Sequence, residues 1–330
     1  MATILVTGGA GYVGSVCAEE LIRQGHEVVV VDDLSTGHHE AVPTAARFYR
    51  ADIGDKIAMR SILREHAIDA VFHFAAKALI PESVTDPAIF YKVNVTSALA
   101  MMDVLLENDV RKFVFSSTAA VYGDPVQMPI PEDHPKAPVN SYGETKLAFE
   151  RALEWYSKAY GFSVVAFRYF NASGATEIHG ELHQPETHII PLVYEAAVGE
   201  RSVFTIYGDD YDTPDGTCLR DYVHVLDIAQ AHILALKHMQ SPEFRAYNIG
   251  LCVSFSVKQL CASAEEITGM RIPVKIGARR IGDPGVLCAD PRRLMSELGW
   301  TPRHSDLREI LESAWTWKQQ NAKRVGTATL

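Results

Sequence analysis

Cysteine is scarce and badly placed for cross-linking. The five in 330 residues, Cys17, Cys218, Cys252, Cys261 and Cys288, are odd in number and scattered, and no Cys-x-x-Cys occurs. That pattern argues against a disulfide framework and against a zinc site. Positive charge is also short: 31 lysines and arginines face 41 aspartates and glutamates, a formal net charge of -10. A nucleic-acid or anionic-membrane partner calls for a basic face, so neither is expected. No apolar run approaches the ~20 residues that span a bilayer. The opening MATILVTGGAGYVGS has no basic stretch before its apolar residues, so no signal peptide is expected. Internal repeats and low-complexity linkers are lacking too. A reduced, cytoplasmic protein of one large or two closely joined domains fits these absences. A few placed arginines still allow an anionic small molecule as its partner.

What is present is a series of short apolar runs separated by helical stretches. TILVTG at 3–8, EVVVVDD at 27–33, ARFYRAD at 46–52, DAVFHFAA at 69–76 and KFVFSST at 112–118 read as strands. Their apolarity is continuous rather than alternating, which marks strands covered on both faces, as in a parallel sheet. Helical length and period occupy 12–24, 55–66 and 86–108 between them, and a further helix (141–160) and strand (163–168) follow. The fold class is therefore α/β, a doubly wound parallel sheet. After Asn171 the texture changes to a long loop rich in turn formers, then short mixed elements. These include a helix near 189–199, a strand near 203–207 and a loop through GDDYDTPDGTCLRD. Helix 226–239 and strand 245–249 read as a return to the sheet. The expected division is a nucleotide-binding domain over 1–171 with returns near 222–250. A smaller, interwoven α/β domain then takes 172–221 and 251–330, with helices near 256–268, 290–298 and 306–319 and a strand at 272–276.

The first strand runs into TGGAGYVG, whose Gly8, Gly11 and Gly14 open the first helix. Glycines there let a pyrophosphate approach the backbone, while the helix N-terminus supplies N–H donors and positive dipole. The second strand ends in Asp32–Asp33, about 20 residues on, where a carboxylate receives a ribose 2′-hydroxyl and repels a 2′-phosphate. NAD is thus expected rather than NADP. Asp52 closes the third strand, where it either contacts adenine or caps the following helix. HFAA at 73–76 brings small residues to a strand's carboxyl end, where open α/β sheets bind ligands.

At the end of the fifth strand, Ser116, Ser117 and Thr118 present hydroxyls to the same edge. Tyr142 and Lys146, four apart, share a face of the next helix. A tyrosine with pKa ~10 needs roughly 3 units, about 4 kcal/mol, to act as a base near neutrality. An ammonium ~4 Å away in a partly screened site is worth about 4 kcal/mol. Tyr142 is therefore a candidate base activated by Lys146.

Together these residues resemble the extended short-chain dehydrogenase/reductases over essentially the whole chain. The closest likeness is to the UDP-hexose 4-epimerases among them. The resemblance rests on TGGAGYVGS, DDLSTG, HFAA, SSTAAVYG, YGETK, RYFNASGA, YGDDYDTPDGTCLRDYVHV and ARRIGD. It implies a Rossmann-type fold, a bound NAD, a UDP-sugar substrate and a homodimer. It also implies a catalytic trio of Thr118, Tyr142 and Lys146. Gly8, Gly11, Tyr12, Val13, Gly14, Asp32, Asp33, Asp52 and Ile53 fall at cofactor positions. So do Phe74, Ala75, Ala76, Lys77, Asn94, Ser116, Tyr142, Lys146 and Tyr169. Thr118, Asn171, Ile190, Thr205, Tyr207, Arg220, Arg280, Asp283 and Leu287 fall at nucleotide-sugar positions. The implied reaction interconverts UDP-glucose and UDP-galactose through a transient 4-keto sugar that turns over within the site.

Two departures stand out. Lys77 lies one position before the place of the family's usual lysine, which Ala78 takes. GLCVSFSV replaces a glycine-rich turn before the helix at 256. Arg220 and Arg280 suit a pyrophosphate, or else pair with Asp221 or Asp283 at the surface. Leu287 either walls the sugar pocket against a C2 N-acetyl group or is plain core.

Among competing activities, the alternative is 4-epimerisation of another UDP-sugar (UDP-glucuronate, UDP-xylose or arabinose, or a UDP-N-acetylhexosamine). Dehydratases need an acid/base pair after the threonine, and Ala119–Ala120 stand there instead. The glutamate common in decarboxylases is absent from the same run. A non-enzymatic NAD sensor predicts loss of Tyr142 or Lys146, and both are present. No metal is expected: His179, His183 and His188 share a loop that Gly180 and Pro185 keep from being helical, so an irregular solvated loop is the reading. His73 reads as a packed strand histidine.

Overall fold

The computed structural model describes residues 1–280, 283–304 and 306–327. Ile281 and Gly282 of the ARRIGD motif and residues 328–330 of the second expected domain lie outside them. Six strands follow the sequence closely: β1 Thr3–Thr7, β2 Glu27–Asp32, β3 Arg47–Arg50, β4 Ala70–His73, β5 Lys112–Thr118 and β6 Ser163–Tyr169. Together with Glu243–Ile249 they form one sheet in the order 243–249, β6, β5, β4, β1, β2, β3. All its pairings are parallel.

Continuous apolarity has the expected cause. Along β1, Ile4 and Val6 enter one core with Val28, Val30 and Phe72. Leu5 enters the opposite core with Val29, Val31 and Val71. Successive side chains point to opposite faces, and here both faces are buried. A third core gathers Ile190, Val193, Tyr194, Phe204, Ile206, Leu260, Ile310 and Leu311 from beyond the sheet.

The sheet order places the site. From β1 the chain winds outward through β2 and β3, then returns to β4 on the other side of β1. The β1/β4 boundary is thus the point where strand order reverses, the usual crevice of such sheets. Gly8 leaves β1 there, and the amides of Phe74 and Ala75 after β4 both reach Thr7 O, at 2.8 and 3.0 Å.

Several boundaries differ from the sequence reading. The expected helix 86–108 is composite: Pro87–Tyr91, a π-helical turn Lys92–Ser97, and Ala98–Glu107. Polar Asn94, Thr96 and Ser97 interrupt its apolar spacing, and the backbone takes a π-helical turn there, a rare form that occurs mostly as a single turn inside an α-helix. By length and composition this continuous stretch, Pro87–Glu107, is apolar enough to cross a membrane, contrary to the reading that no run comes close. Its apolar side chains, Ala98, Met101, Met102, Val104 and Leu105, are instead packed into the core beneath the sheet. The loop after Asn171 begins with a short strand, Asn171–Ser173, paired in parallel with Tyr222–His224. The last helix runs Leu307–Thr327, longer than expected.

Candidate functional site

A cleft of about 1230 Å³ runs across the carboxyl edge of the sheet. At one end lies the glycine turn, opening α1 (Tyr12–Arg23). Gly8 has φ +74, and a Cβ there would lie 2.4 Å from Ala75 N. A Cβ on Gly14 would lie 2.1 Å from Gly8 O. Only hydrogen fits at either place, since both obstructing atoms are backbone. The N-cap of α1 is Gly11, with no side-chain cap, so its first-turn amides remain available to an anion. Asp32 is buried, accepting Ala10 N at 3.0 Å and Leu34 N at 2.9 Å. Burial raises its pKa, with the Leu34 and Ala10 amides opposing. Each carboxylate oxygen keeps a second lone pair for a hydroxyl donor. These features fit a dinucleotide pyrophosphate and its ribose.

Asp52 resolves in favour of the cleft. Its Oδ1 accepts Gly54 N at 2.7 Å, and the cap of α2 (Lys56–Glu65) is Asp55, which accepts from Ile57 and Ala58. Gly8, Gly11, Tyr12, Val13, Gly14, Asp32, Asp33, Asp52 and Ile53 all line the cleft. So do Phe74, Ala75, Ala76, Lys77, Ser116, Tyr142, Lys146 and Tyr169. Asn94 does not. It is buried in the π-helical turn, where its Oδ1 accepts Lys77 N at 2.8 Å and its Nδ2 donates to Lys77 O at 3.0 Å. It therefore fixes the segment that carries Lys77.

At the centre, Tyr142 and Lys146 project from the first turns of helix Ser141–Tyr160, capped by Asn140 on Gly143 N at 2.8 Å. Thr118, whose Oγ1 accepts Ala120 N at 3.1 Å, lines the same cleft as Tyr142. Lys146 Nζ donates to Ser116 O at 2.8 Å, lies 4.9 Å from the Phe115 ring centroid and 6.0 Å from that of Tyr142. The charges differ from the simple expectation. Burial raises the Tyr142 pKa, and the Thr118 hydroxyl opposes it. Burial also pulls Lys146 down to about 7, with Glu150 opposing. The sequence argument placed a fully charged ammonium in a partly screened site. In the fold, desolvation is the largest influence on both groups.

Beneath this pair, Glu150 binds Arg168 in a bidentate fork, Nε–Oε1 at 3.0 Å and Nη2–Oε2 at 2.7 Å. Ser117 donates to the same carboxylate at 2.5 Å. His73 is buried, 2.7 Å from Thr7 Oγ1 and stacked on Phe115, and burial lowers its pKa to about 3. It is a packing residue, as read.

At the far end, Asn171, Ile190, Thr205, Tyr207, Arg220, Arg280, Asp283 and Leu287 all line the cleft, as does Thr118 at its centre. Arg220 pairs with Asp283, and the Arg280 guanidinium lies 4.0 Å over the Tyr207 ring. Asp221 pairs with neither; it is buried and bound by backbone amides. Leu287 packs against the cluster of Ala119, Val121, Tyr122, Ile130 and Leu147 and also lines the cleft.

The model of the NAD dependent epimerase/dehydratase family matches residues 4–250. The chain is 46% identical to the UDP-glucose 4-epimerase of Corynebacterium glutamicum over 314 residues, covering 95% of each chain. The crystal structure of UDP-glucose 4-epimerase from Brucella ovis in complex with NAD superposes with TM-score 0.93 at 43% identity, covering 96% of this chain and 98% of that one. The epimerase from Bifidobacterium longum in complex with NAD+ and UDP gives TM-score 0.92 at 34% identity, covering 97% and 99%. The chain belongs to the NAD-dependent epimerase/dehydratase family.

In this family member, the part least legible beforehand is the loop after Ser173. It is irregular, as expected, but only partly solvated. His188 Nδ1 lies 2.7 Å from Glu181 and 3.0 Å from Glu186, and His183 Nδ1 lies 3.2 Å from Glu181. Burial opposes the charge on His188, but the hydrogen bonds it donates to Glu181 and Glu186 outweigh that and push its pKa up to about 10. Tyr12 OH donates to Gly174 O at 2.5 Å, tying the loop to the glycine turn. The alternation of Glu and His in GELHQPETH was the available signal.

Proposed function

We propose that this protein is an NAD-dependent UDP-hexose 4-epimerase that interconverts UDP-glucose and UDP-galactose through a 4-keto sugar. Residues 1–171 with the returns near 222–250 hold the cofactor; 172–221 and 251–330 hold the UDP-sugar. The observation that carries this reading is the placing of Tyr142, Lys146 and Thr118 together on one continuous cleft, with Lys146 held on Ser116 O. The glycine turn lies toward one end, and Arg220 and Arg280 toward the other. NAD, when bound, supplies the reversible hydride acceptor and a positive charge beside the phenol.

Tyr142, directly or through Thr118, takes the proton of the sugar 4-hydroxyl and later returns one to the 4-oxygen. Lys146, held on Ser116 O, sets the electrostatics of that phenol. Arg220 and Arg280 bind the diphosphate, and Asn171, Ile190, Thr205 and Tyr207 shape the nucleotide end. A firmly held diphosphate leaves the hexose free to turn over and present its other face. Leu287 limits space near C2. The chain works as a cytoplasmic homodimer in this reading, and light scattering checks the assembly.

The test is incubation with UDP-glucose, UDP-galactose, UDP-glucuronate and UDP-xylose, with products resolved by NMR. Interconversion of the first two is expected to be fastest. Tyr142→Phe is expected to lower kcat by about 10²–10⁴ with UDP affinity retained. Near-normal turnover in that variant refutes the assignment of the base.

A further inference from the structure

Cys252 and Cys288 lie far apart in sequence and meet beside the substrate end of the cleft. Buried Asp221 joins their segments. Its Oδ2 accepts Cys252 N at 3.1 Å and Ala289 N at 3.0 Å, and its Oδ1 accepts Leu251 N at 2.7 Å. Ser254 Oγ adds a contact to Leu287 O at 3.4 Å. The turn 250–254 is thereby fastened to the stretch that carries Leu287 and Cys288. The Cys252 amide and the amide that follows Cys288 thus share one carboxylate oxygen, which sets the two cysteines side by side.

Two further features single out Cys252. It is exposed, whereas Cys17, Cys218, Cys261 and Cys288 are buried. Its φ is +58, a left-handed conformation that costs an L-residue roughly 1–2 kcal/mol and is ordinarily left to glycine. Packing gives no reason for a cysteine at that position.

We propose that Cys252 and Cys288 are an oxidation site, closing to an internal disulfide under a hydroperoxide and stiffening the wall that carries Leu287. The Cys252 thiolate attacks the peroxide, the O–O bond breaks, and a sulfenic acid forms with release of hydroxide. Cys288 sulfur then attacks the sulfenic sulfur; the S–S bond forms, the S–O bond breaks and water leaves. Two thiols and one peroxide thus give one disulfide and two waters (one alcohol and one water from an organic hydroperoxide). Attack begins at Cys252, because burial, with the Asp221 charge, pushes Cys288 up to about 11, leaving little thiolate there. The effect on turnover rests on the UDP-hexose reading above; the disulfide itself does not.

NAD-loaded protein is treated with hydrogen peroxide at pH 8, alkylated and mapped by mass spectrometry. A species two hydrogens lighter is expected, with the Cys252 peptide joined to the Cys288 peptide and released by dithiothreitol. Cys252→Ser and Cys288→Ser are each expected to abolish it. The cross-linked protein is expected to show a UDP-galactose KM raised about fivefold or more, with NAD content unchanged and peroxide-treated Cys252→Ser unaffected. Cys252 recovered only as a sulfenic or sulfinic acid, a bridge between other cysteines, or a cross-link that leaves KM unaltered overturns the proposal. Untreated protein inactive on UDP-galactose would count against the UDP-hexose reading, while the peptide map still decides the disulfide.

Discussion

Lys146→Met is expected to make the cofactor-free protein more stable while abolishing most turnover. The lysine pKa falls from 10.5 to about 7, chiefly through burial. At about 1.4 kcal/mol per unit, that drop corresponds to a penalty on the order of 3–5 kcal/mol for keeping the ammonium folded at acidic pH. Methionine has similar length and helix propensity and removes the charge. It also removes the donor to Ser116 O, a loss of about 1–3 kcal/mol. The net gain is about 2 kcal/mol at pH 6, or roughly 3 °C in Tm for a chain of this length.

The sign follows from proton counting. The folded lysine sheds its proton through about pH 7, while the unfolded one keeps it until about 10.5. The penalty is therefore complete below 7 and relieved as pH rises through that window. The advantage of Lys146→Met should shrink toward zero near pH 9. Differential scanning calorimetry of NAD-stripped wild type and variant at pH 6, 7.5 and 9 measures it. A variant less stable at pH 6, or an offset independent of pH, refutes the reasoning.

Gly14→Ala should strip the cofactor, because the added Cβ would meet Gly8 O at 2.1 Å; NAD released on denaturation should fall from near-stoichiometric to little. Arg168→Met should destabilise by about 3–5 kcal/mol by leaving Glu150 buried and unpaired, read from urea unfolding, whereas replacing both partners with apolar residues should restore much of the loss. Leu287→Ser should narrow the preference for UDP-glucose over UDP-N-acetylglucosamine by about tenfold or more, since one group in such a pocket is worth about 1–3 kcal/mol. Equal rates on both sugars in the unmodified protein show that Leu287 is not the gate.

The sequence by itself determined the sheet and its cofactor edge. Doubly buried strands need unbroken apolar runs such as EVVVVD, and a helix start meeting a pyrophosphate needs glycine where a Cβ would strike backbone. Both are local demands, written in consecutive residues. The pairing of Tyr142 with Lys146 was also legible, because four residues on a helix fix a shared face.

Tertiary structure decided what those groups experience. No spacing shows that Lys146 is desolvated enough to fall to about 7. Burial is set by Phe115 and by the helix packing over β5, from segments separate in the chain. Asp52 stood as a possible helix cap until the backbone assigned that role to Asp55. GELHQPETH reads as an irregular loop because its order comes from Glu–His ion pairs and a Tyr12 tether rather than from periodicity. Asp221 joins Cys252 to Ala289 across 37 residues of chain. Contacts of that kind depend on how distant segments meet, and the one-dimensional pattern carries no record of it.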